Sequence, residues 1–276
     1  MLNVDLHCHS TVSDGLLPAA EVARRAAANG VDMLALTDHD ELGGLAAARS
    51  VADDHGMRFV NGVEVSIEWG GLQIHILGLG FDADDPSLNA GLSSIRSGRA
   101  ERAQRMSADL ARIGIHGCFD GAMRYAENPN LIGRSHFARY LVECGVSKDV
   151  RSVFESYLVP GRPGYVEHRW ATLKDSVDWI LGAGGVAAVA HPGRYKLSRS
   201  ELRRFLGEFK DHGGRAIEVV SGSHSADNVI LFSRFAREYG FMASRGSDFH
   251  GPGESLVDLG NLAPLPEGLI PVWEAF

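Results

Sequence analysis

Cysteine, lysine and long apolar runs are all scarce in this chain of 276 residues. Cysteine occurs three times, as Cys8, Cys118 and Cys144, an odd number with no paired spacing. That excludes a disulfide framework and reads as reduced thiols of a cytoplasmic protein. Lysine is confined to Lys148, Lys174, Lys196 and Lys210, so positive charge rests on arginine. No apolar run approaches the ~20 residues that cross a bilayer. The start, MLNVDLHCHS, has no basic region followed by an apolar stretch. Neither a membrane segment nor a secretory leader is therefore expected.

What is present is a 45% hydrophobic chain able to bury a sizeable core. Its length suits one large α/β domain, or a barrel carrying an insertion. The net charge of −8 argues against general nucleic-acid coating. The average conceals an asymmetry. Between Arg96 and Arg169 there are 12 basic residues against 8 acidic, and 11 of the 12 are arginine. Guanidinium groups suit bidentate phosphate contacts, although any one of them can equally lie on a solvated helical face.

Seven segments read as strands: Asn3–Leu6, Val31–Thr37, Arg58–Ser66, Leu72–Leu79, Gly185–Ala190, Arg215–Val220 and Phe241–Ser244. Trp69-Gly70-Gly71 is a hairpin signal between the third and fourth. Helical patterns alternate with them at Pro18–Asn29, Glu41–His55, Leu173–Ala183, Arg199–His212 and Ala226–Tyr239. Such alternation predicts a mostly parallel sheet closed into a barrel. From about Pro86 to Trp170 the pattern is helical only, with helices over Ile95–Ile113, Gly117–Ala126, Ser135–Glu143 and Asp149–Tyr157. The expected organisation is a barrel from residues 1–85 and 171–276, with 86–170 an all-helical insertion acting as a substrate lid. The excess positive charge lies in that insertion.

His7-Cys8-His9 follows the first strand, and alternate residues of a strand point the same way. Two imidazoles so placed are half of a metal site. Cys8 between them should face the core. Asp14, His39, Glu64, His75, His191, Asp248 and His250 recur at or near other strand ends, the chemical end of an α/β barrel. Each alone has a bland reading, such as a core histidine for His75 or a helix cap for Asp38 and Asp40. Together they offer six imidazoles, three carboxylates and no thiolate. That set suits Mn²⁺, Zn²⁺ or Fe²⁺ and is too large for one ion. Two or three divalent ions, Mn²⁺ first, are expected, with Glu64 bridging. Clustered ions of this kind serve phosphate-ester hydrolysis.

The motifs HCHS, TDHD, Glu64-Val-Ser, His75, AHPGR and GSDFH, in that order from residue 3 to about 250, resemble the polymerase and histidinol phosphatase (PHP) family. The resemblance implies a distorted seven-stranded (β/α) barrel with three metals at its mouth. It assigns His7, His9, Glu64 and Asp248 to the first, Glu64, His75 and His191 to the second, and Asp14, His39 and His250 to the third. The family position matching Asp14 is often a histidine. Asp38 would orient a ligand and serve catalysis. The helical insertion, with Ile132-Gly-Arg-Ser-His-Phe-Ala-Arg, resembles a bacterial subgroup of nucleoside 3′,5′-bisphosphate phosphatases and 5′-to-3′ exoribonucleases. Histidinol phosphate phosphatases share the metals without this insert.

Arg96, Arg99, Arg102 and Arg105 recur every third residue, a stripe that drifts around a helix, so two or three at most face one ligand. Arg99 and Arg102 are the candidates. Arg134-Ser135 before a helix is a natural phosphate pocket. Arg194, two residues beyond Pro192, would neutralise the phosphoryl oxygens. Ser223 would line the pocket and Asn228 would touch a base or ribose. His191 is a candidate proton donor to the leaving oxygen. The expected reaction removes the 3′-phosphate of a small-molecule nucleotide 3′,5′-bisphosphate. The alternative is removal of nucleotides from short 5′-phosphorylated RNA. An amidohydrolase would use a bridging strand-end lysine, and none of the four lysines lies at a predicted strand end.

Overall fold

The computed structural model describes residues 2–276. Seven strands form one ring: β1 (Val4–Asp5), β2 (Met33–Leu36), β3 (Arg58–Trp69), β4 (Leu72–Leu79), then β6 (Val186–Val189), β7 (Ala216–Ser221) and β8 (Met242–Gly246). A two-residue strand, β5 (Ala171–Thr172), pairs with β3 off this path. Pairing is parallel except at β3–β4 and β4–β6. The ring closes where Leu6 N–H donates to Arg245 O (3.0 Å) and Asp248 N–H to His7 O (2.7 Å). This is the expected distorted barrel.

The strands are short apolar runs because both faces are covered. Met33, Ala35, Val60, Leu77, Val186, Ala188 and Ala216 fill the interior. Leu34, Leu36, Val63, Ala187, Val189 and Ile217 face outward. Against that outer face lie α1 (Ala19–Ala28), α2 (Leu45–Asp54), α8 (Leu173–Gly182), α9 (Arg199–Asp211) and α10 (Ala226–Tyr239). Gly70 and Gly71 have φ of 60° and 77°, the two positive values that a two-residue turn between Trp69 and Leu72 requires.

Between β4 and β5 the chain is helical: α3 (Pro86–Arg96), α4 (Arg99–Arg112), α5 (Cys118–Met123), α6 (Arg134–Glu143) and α7 (Val150–Val153), the last running into a π turn over Phe154–Leu158. The single helix expected over Ile95–Ile113 is broken. Ser97 is extended (ψ 135°) and Gly98 left-handed (φ 80°), which ends α3 and restarts the chain as α4. Leu88, Leu92 and Ile95 of α3 join the barrel's outer core. A separate core, with Met106, Leu110, Phe137, Leu141, Val153 and Leu158, begins with α4. Asp40 is no helix cap either, since α2 starts only at Leu45 after Gly44.

Candidate metal centre and active site

Glu64 lies where β3 leaves the ring, bridged to His39 beyond β2. It is fully buried, and five imidazoles converge on its two oxygens. His191 Nε2 is 2.8 Å, His75 Nδ1 2.9 Å and His7 Nε2 3.4 Å from Oε1; His39 Nδ1 is 3.1 Å and His9 Nε2 3.2 Å from Oε2. Asp248 Oδ1 lies 3.4 Å from both His7 Nε2 and His9 Nε2. On the other side Asp14 Oδ1 lies 3.5 Å from His250 Nε2 and 3.8 Å from His39 Nε2. All nine residues expected as ligands thus meet in one place. They overlap in four groups: His9, Asp14, His39 and His250; His7, His191 and Asp248; His7, His9 and Glu64; His39, Glu64 and His75.

The donor set fits divalent cations. Ligands ~2.1 Å from one ion, at tetrahedral or octahedral angles, stand about 3.0–3.4 Å apart. Most of the separations above fall close to that range. Glu64 Oε2, Asp248 Oδ1 and Nδ1 of His9, His39 and His75 are buried without a hydrogen-bond partner among the described residues. Atoms so buried and unpaired are costly unless a cation takes the role of the missing partner. His191 and Asp248 also have positive φ, 26° and 54°, a strain typical of functional positions.

The electrostatics agree. Burial opposes ionisation of Asp14, Glu64 and Asp248, yet the surrounding cationic groups hold all three well below the usual carboxylate range. Burial would lower His9, but Asp248 and Glu64 raise it to about 10. Protons and metal ions compete for the same lone pairs here. His191 goes the other way, lowered to about 4 by burial and by Arg194. A neutral imidazole aimed at Glu64 suits a ligand.

Other residues hold the ligands in place. Asp38, expected to orient a ligand, spends its oxygens on the loop instead. Oδ1 accepts Ser10 N–H (2.8 Å) and Ser13 Oγ–H (2.6 Å), and Oδ2 accepts Ser10 Oγ–H (2.6 Å). It shapes the turn that carries Asp14. Ser135 of α6 donates to Asp14 Oδ2 (2.7 Å), so its hydroxyl serves a ligand rather than a phosphate. Two supports were not foreseen. Tyr195 Oη accepts His75 N–H (2.9 Å) and lies 3.2 Å from His191 Nδ1. Glu218, on β7, lies 3.0 Å from His7 Nδ1. Its signal was parity: Ala216 faces the interior and Ile217 and Val219 face out, so Glu218 must face in.

The chain matches the PHP domain over residues 5–220. It belongs to the PHP family. A 3′,5′-nucleoside bisphosphate phosphatase of Chromobacterium violaceum is 54% identical over 99% of this chain and 96% of its own length. A 5′-3′ exoribonuclease of Haemophilus influenzae is 39% identical over 99% of this chain and 98% of its own length. A solved Chromobacterium violaceum structure, described as an amidohydrolase with bound sulfate and no metal, superimposes with TM-score 0.96 at 54% identity, covering 99% of this chain and 95% of that one.

In this PHP chain the cluster of candidate metal ligands opens into a cavity of about 210 Å³ whose far wall is helical. Arg99, Arg102, Arg134 and Ser135 line it, with Trp170, Phe154 and Arg194. Arg99 pairs with Asp40. Arg102 Nε donates to Val166 O (2.7 Å) and Arg134 to Gln73 Oε1 (2.6 Å), and neither has a carboxylate partner among the described residues. Burial, then Arg134 and Arg99, lowers Arg102 to about 9. Of the stripe, Arg96 faces Glu41 (3.4 Å) and Arg105 faces solvent, so two arginines of the four reach the cavity. Trp170 was missed as a wall: Arg99 and Arg102 sit 5.0 and 5.5 Å from its ring centre. Half-exposed Arg194 reaches Asp248 Oδ2 at 2.7 Å. Ser223 and Asn228 are not in the lining. Ser223 lies 3.4 Å from Ser221, and Asn228 Oδ1 accepts Ser225 N–H (3.1 Å) as part of the α10 cap.

Proposed function

We propose that the chain is a metal-dependent phosphomonoesterase that removes the 3′-phosphate of nucleoside 3′,5′-bisphosphates, leaving a 5′-mononucleotide and phosphate. One observation carries the reading. A carboxylate ringed by five imidazoles shares a single cavity with Arg102 and Arg134, which have no carboxylate partner among the described residues. The name of the Chromobacterium relative supports it.

His7, His9, Asp14, His39, Glu64, His75, His191, Asp248 and His250 would hold two or three ions, Mn²⁺ before Zn²⁺ or Fe²⁺. Bound there, the ions supply Lewis acidity and an activated water. Arg194, at the mouth beside Asp248, meets the phosphoryl oxygens of the scissile group. Arg102 and Arg134, with Arg99 behind them, take the second phosphate; burial, then the neighbouring Arg134 and Arg99, lowers Arg102, and an anion there would offset that repulsion. Trp170 and Phe154 offer aromatic faces to the nucleoside between the two phosphates. The free thiols accord with a cytoplasmic setting. The insertion from 86 to 170 serves as the lid that carries the second-phosphate groups.

The test is phosphate release with Mn²⁺ from adenosine 3′,5′-bisphosphate and from AMP. The bisphosphate should be much the faster; equal rates would remove the two-phosphate reading. The Haemophilus relative favours a second reading, 5′-to-3′ removal of nucleotides from short RNA. A short 5′-phosphorylated RNA in the same assay distinguishes them, through release of mononucleotides.

A further inference from the structure

Glu218 carries the inference. It is buried completely on the inner face of β7, one step above Ala216. The strand register slips just beyond it, between Glu218 and Val220. Its Oε1 is 3.0 Å from His7 Nδ1, and its Oε2 accepts the backbone N–H of His191. His191 is the residue with φ of 26°, which that backbone bond helps to hold. Glu218 belongs to none of the four overlapping ligand groups; its oxygens face His7 Nδ1 and the His191 N–H instead.

A carboxylate can only accept. The proton of neutral His7 must therefore sit on Nδ1, which leaves the Nε2 lone pair facing Glu64 Oε1 and Asp248 Oδ1. We propose that Glu218 is the positioning residue of the metal centre: it fixes the tautomer of His7 and the backbone of His191, two candidate ligands from different strands that meet at Glu64 Oε1. This rests on the metal-hydrolase reading above. A carboxylate behind a ligating histidine typically changes metal affinity by about 10–100-fold.

Glu218→Gln separates this role from simple packing. The amide keeps the volume but has one acceptor oxygen for two donors. Its NH₂ must then face either His7 Nδ1–H or the His191 N–H. Each protein would be stripped with chelator, titrated with Mn²⁺, and its ion content measured after desalting. Expected is an apo melting temperature within a few degrees of the parent, with Mn²⁺ dissociation about 10–100-fold weaker. Glu218→Ala should weaken it at least as much. Parent-like Mn²⁺ affinity and stoichiometry in Glu218→Gln would overturn the proposal. So would a melting temperature so reduced that lost affinity merely follows lost folding. The readout is ion content, so it stands whether or not the parent hydrolyses a nucleotide. Inactivity of a fully loaded parent would count against the phosphatase reading alone.

Discussion

At the scale of single residues, Glu64 carries more of the site than any other side chain. Five imidazoles lie within 3.4 Å of its oxygens. Glu64→Gln removes the charge that balances them and should release most of the bound ion. Lewis-acid stabilisation is worth several kcal/mol, so phosphate release should fall by roughly 10²–10⁴-fold. Elemental analysis alongside the assay checks this, and a variant with full ion content would contradict the hub assignment. Arg102 is a different case. It is buried near other arginines with no carboxylate partner among the described residues, so it costs stability, and the proposed function gives it the second phosphate as partner. Arg102→Met should leave the melting temperature unchanged or higher. Charged hydrogen bonds are worth about 1.5–3 kcal/mol, so kcat/KM for the bisphosphate should drop about 10–100-fold while that for AMP barely moves. A parallel loss on both substrates would place Arg102 elsewhere in the reaction.

The ligands were legible because their types are diagnostic and because they fall beside short apolar strands that announce themselves. Glu218 and Tyr195 were not, because a lone glutamate or tyrosine in an apolar stretch takes its meaning from register, which needs the partner strand. Asp38 and Asn228 misled in different ways. Asn228 satisfies the local backbone of its own helix cap, whereas Asp38 is taken up by Ser10 and Ser13 of a loop distant in sequence, a pairing that only the fold creates.

At the scale of elements, the site depends on how α6 docks across the barrel mouth. Arg139 makes two bonds to Glu254, at 2.8 and 2.7 Å, and a third to Asp14 O. Its side chain is 5% exposed and that of Glu254 24%. Breaking a buried pair costs ~3–5 kcal/mol; the partial exposure of Glu254 reduces this to about 2–4 kcal/mol for Arg139→Met. Denaturant unfolding reads it directly, and a change below ~0.5 kcal/mol would show the clamp to be idle. His136, on the same helix, is buried with Nδ1 accepting Gly133 N–H at 3.0 Å, and burial lowers its pKa to about 4. Below the unfolded value near 6.5, the unfolded chain takes the proton first, so the stability present above pH 6.5 is lost as the pH falls towards 4. The shift is worth about 3 kcal/mol. His136→Gln keeps an acceptor for Gly133 but does not titrate. In chelator, the parent should lose about 3 kcal/mol more than the variant between pH 6.5 and 4. Parallel pH curves would show that His136 is not the titrating group. Boundaries of elements were the least legible part of the sequence. Arg99–Arg112 looked continuous with Ile95 because helical periodicity survives a two-residue break, and only Gly98 marked it.

At the scale of the molecule, charge is segregated: the arginine-rich segment from Arg96 to Arg169 has 12 basic and 8 acidic residues, a balance of +4 within a net −8, so the rest of the chain carries −12. The two parts meet at the mouth through Arg96–Glu41, Arg99–Asp40, Ser135–Asp14 and Arg139–Glu254. Asp14 therefore faces both ways, towards His250 and towards α6, so ions at the centre and the docking of the helices support one another. Ions that bind only the folded chain stabilise it by mass action, by ~4 kcal/mol for one site at a thousand times its dissociation constant. For a chain of this size, with roughly 2–4 °C per kcal/mol, loading should raise the melting temperature on the order of 10 °C. Melts in chelator and in saturating Mn²⁺ measure this. Glu64→Gln should abolish the difference, and Ser135→Ala, which removes the α6 bond to the Asp14 carboxylate while Arg139 still holds its carbonyl, should shrink it without abolishing it. Superimposable melts of the parent with and without Mn²⁺ would mean that the nine residues meet for a reason other than holding ions.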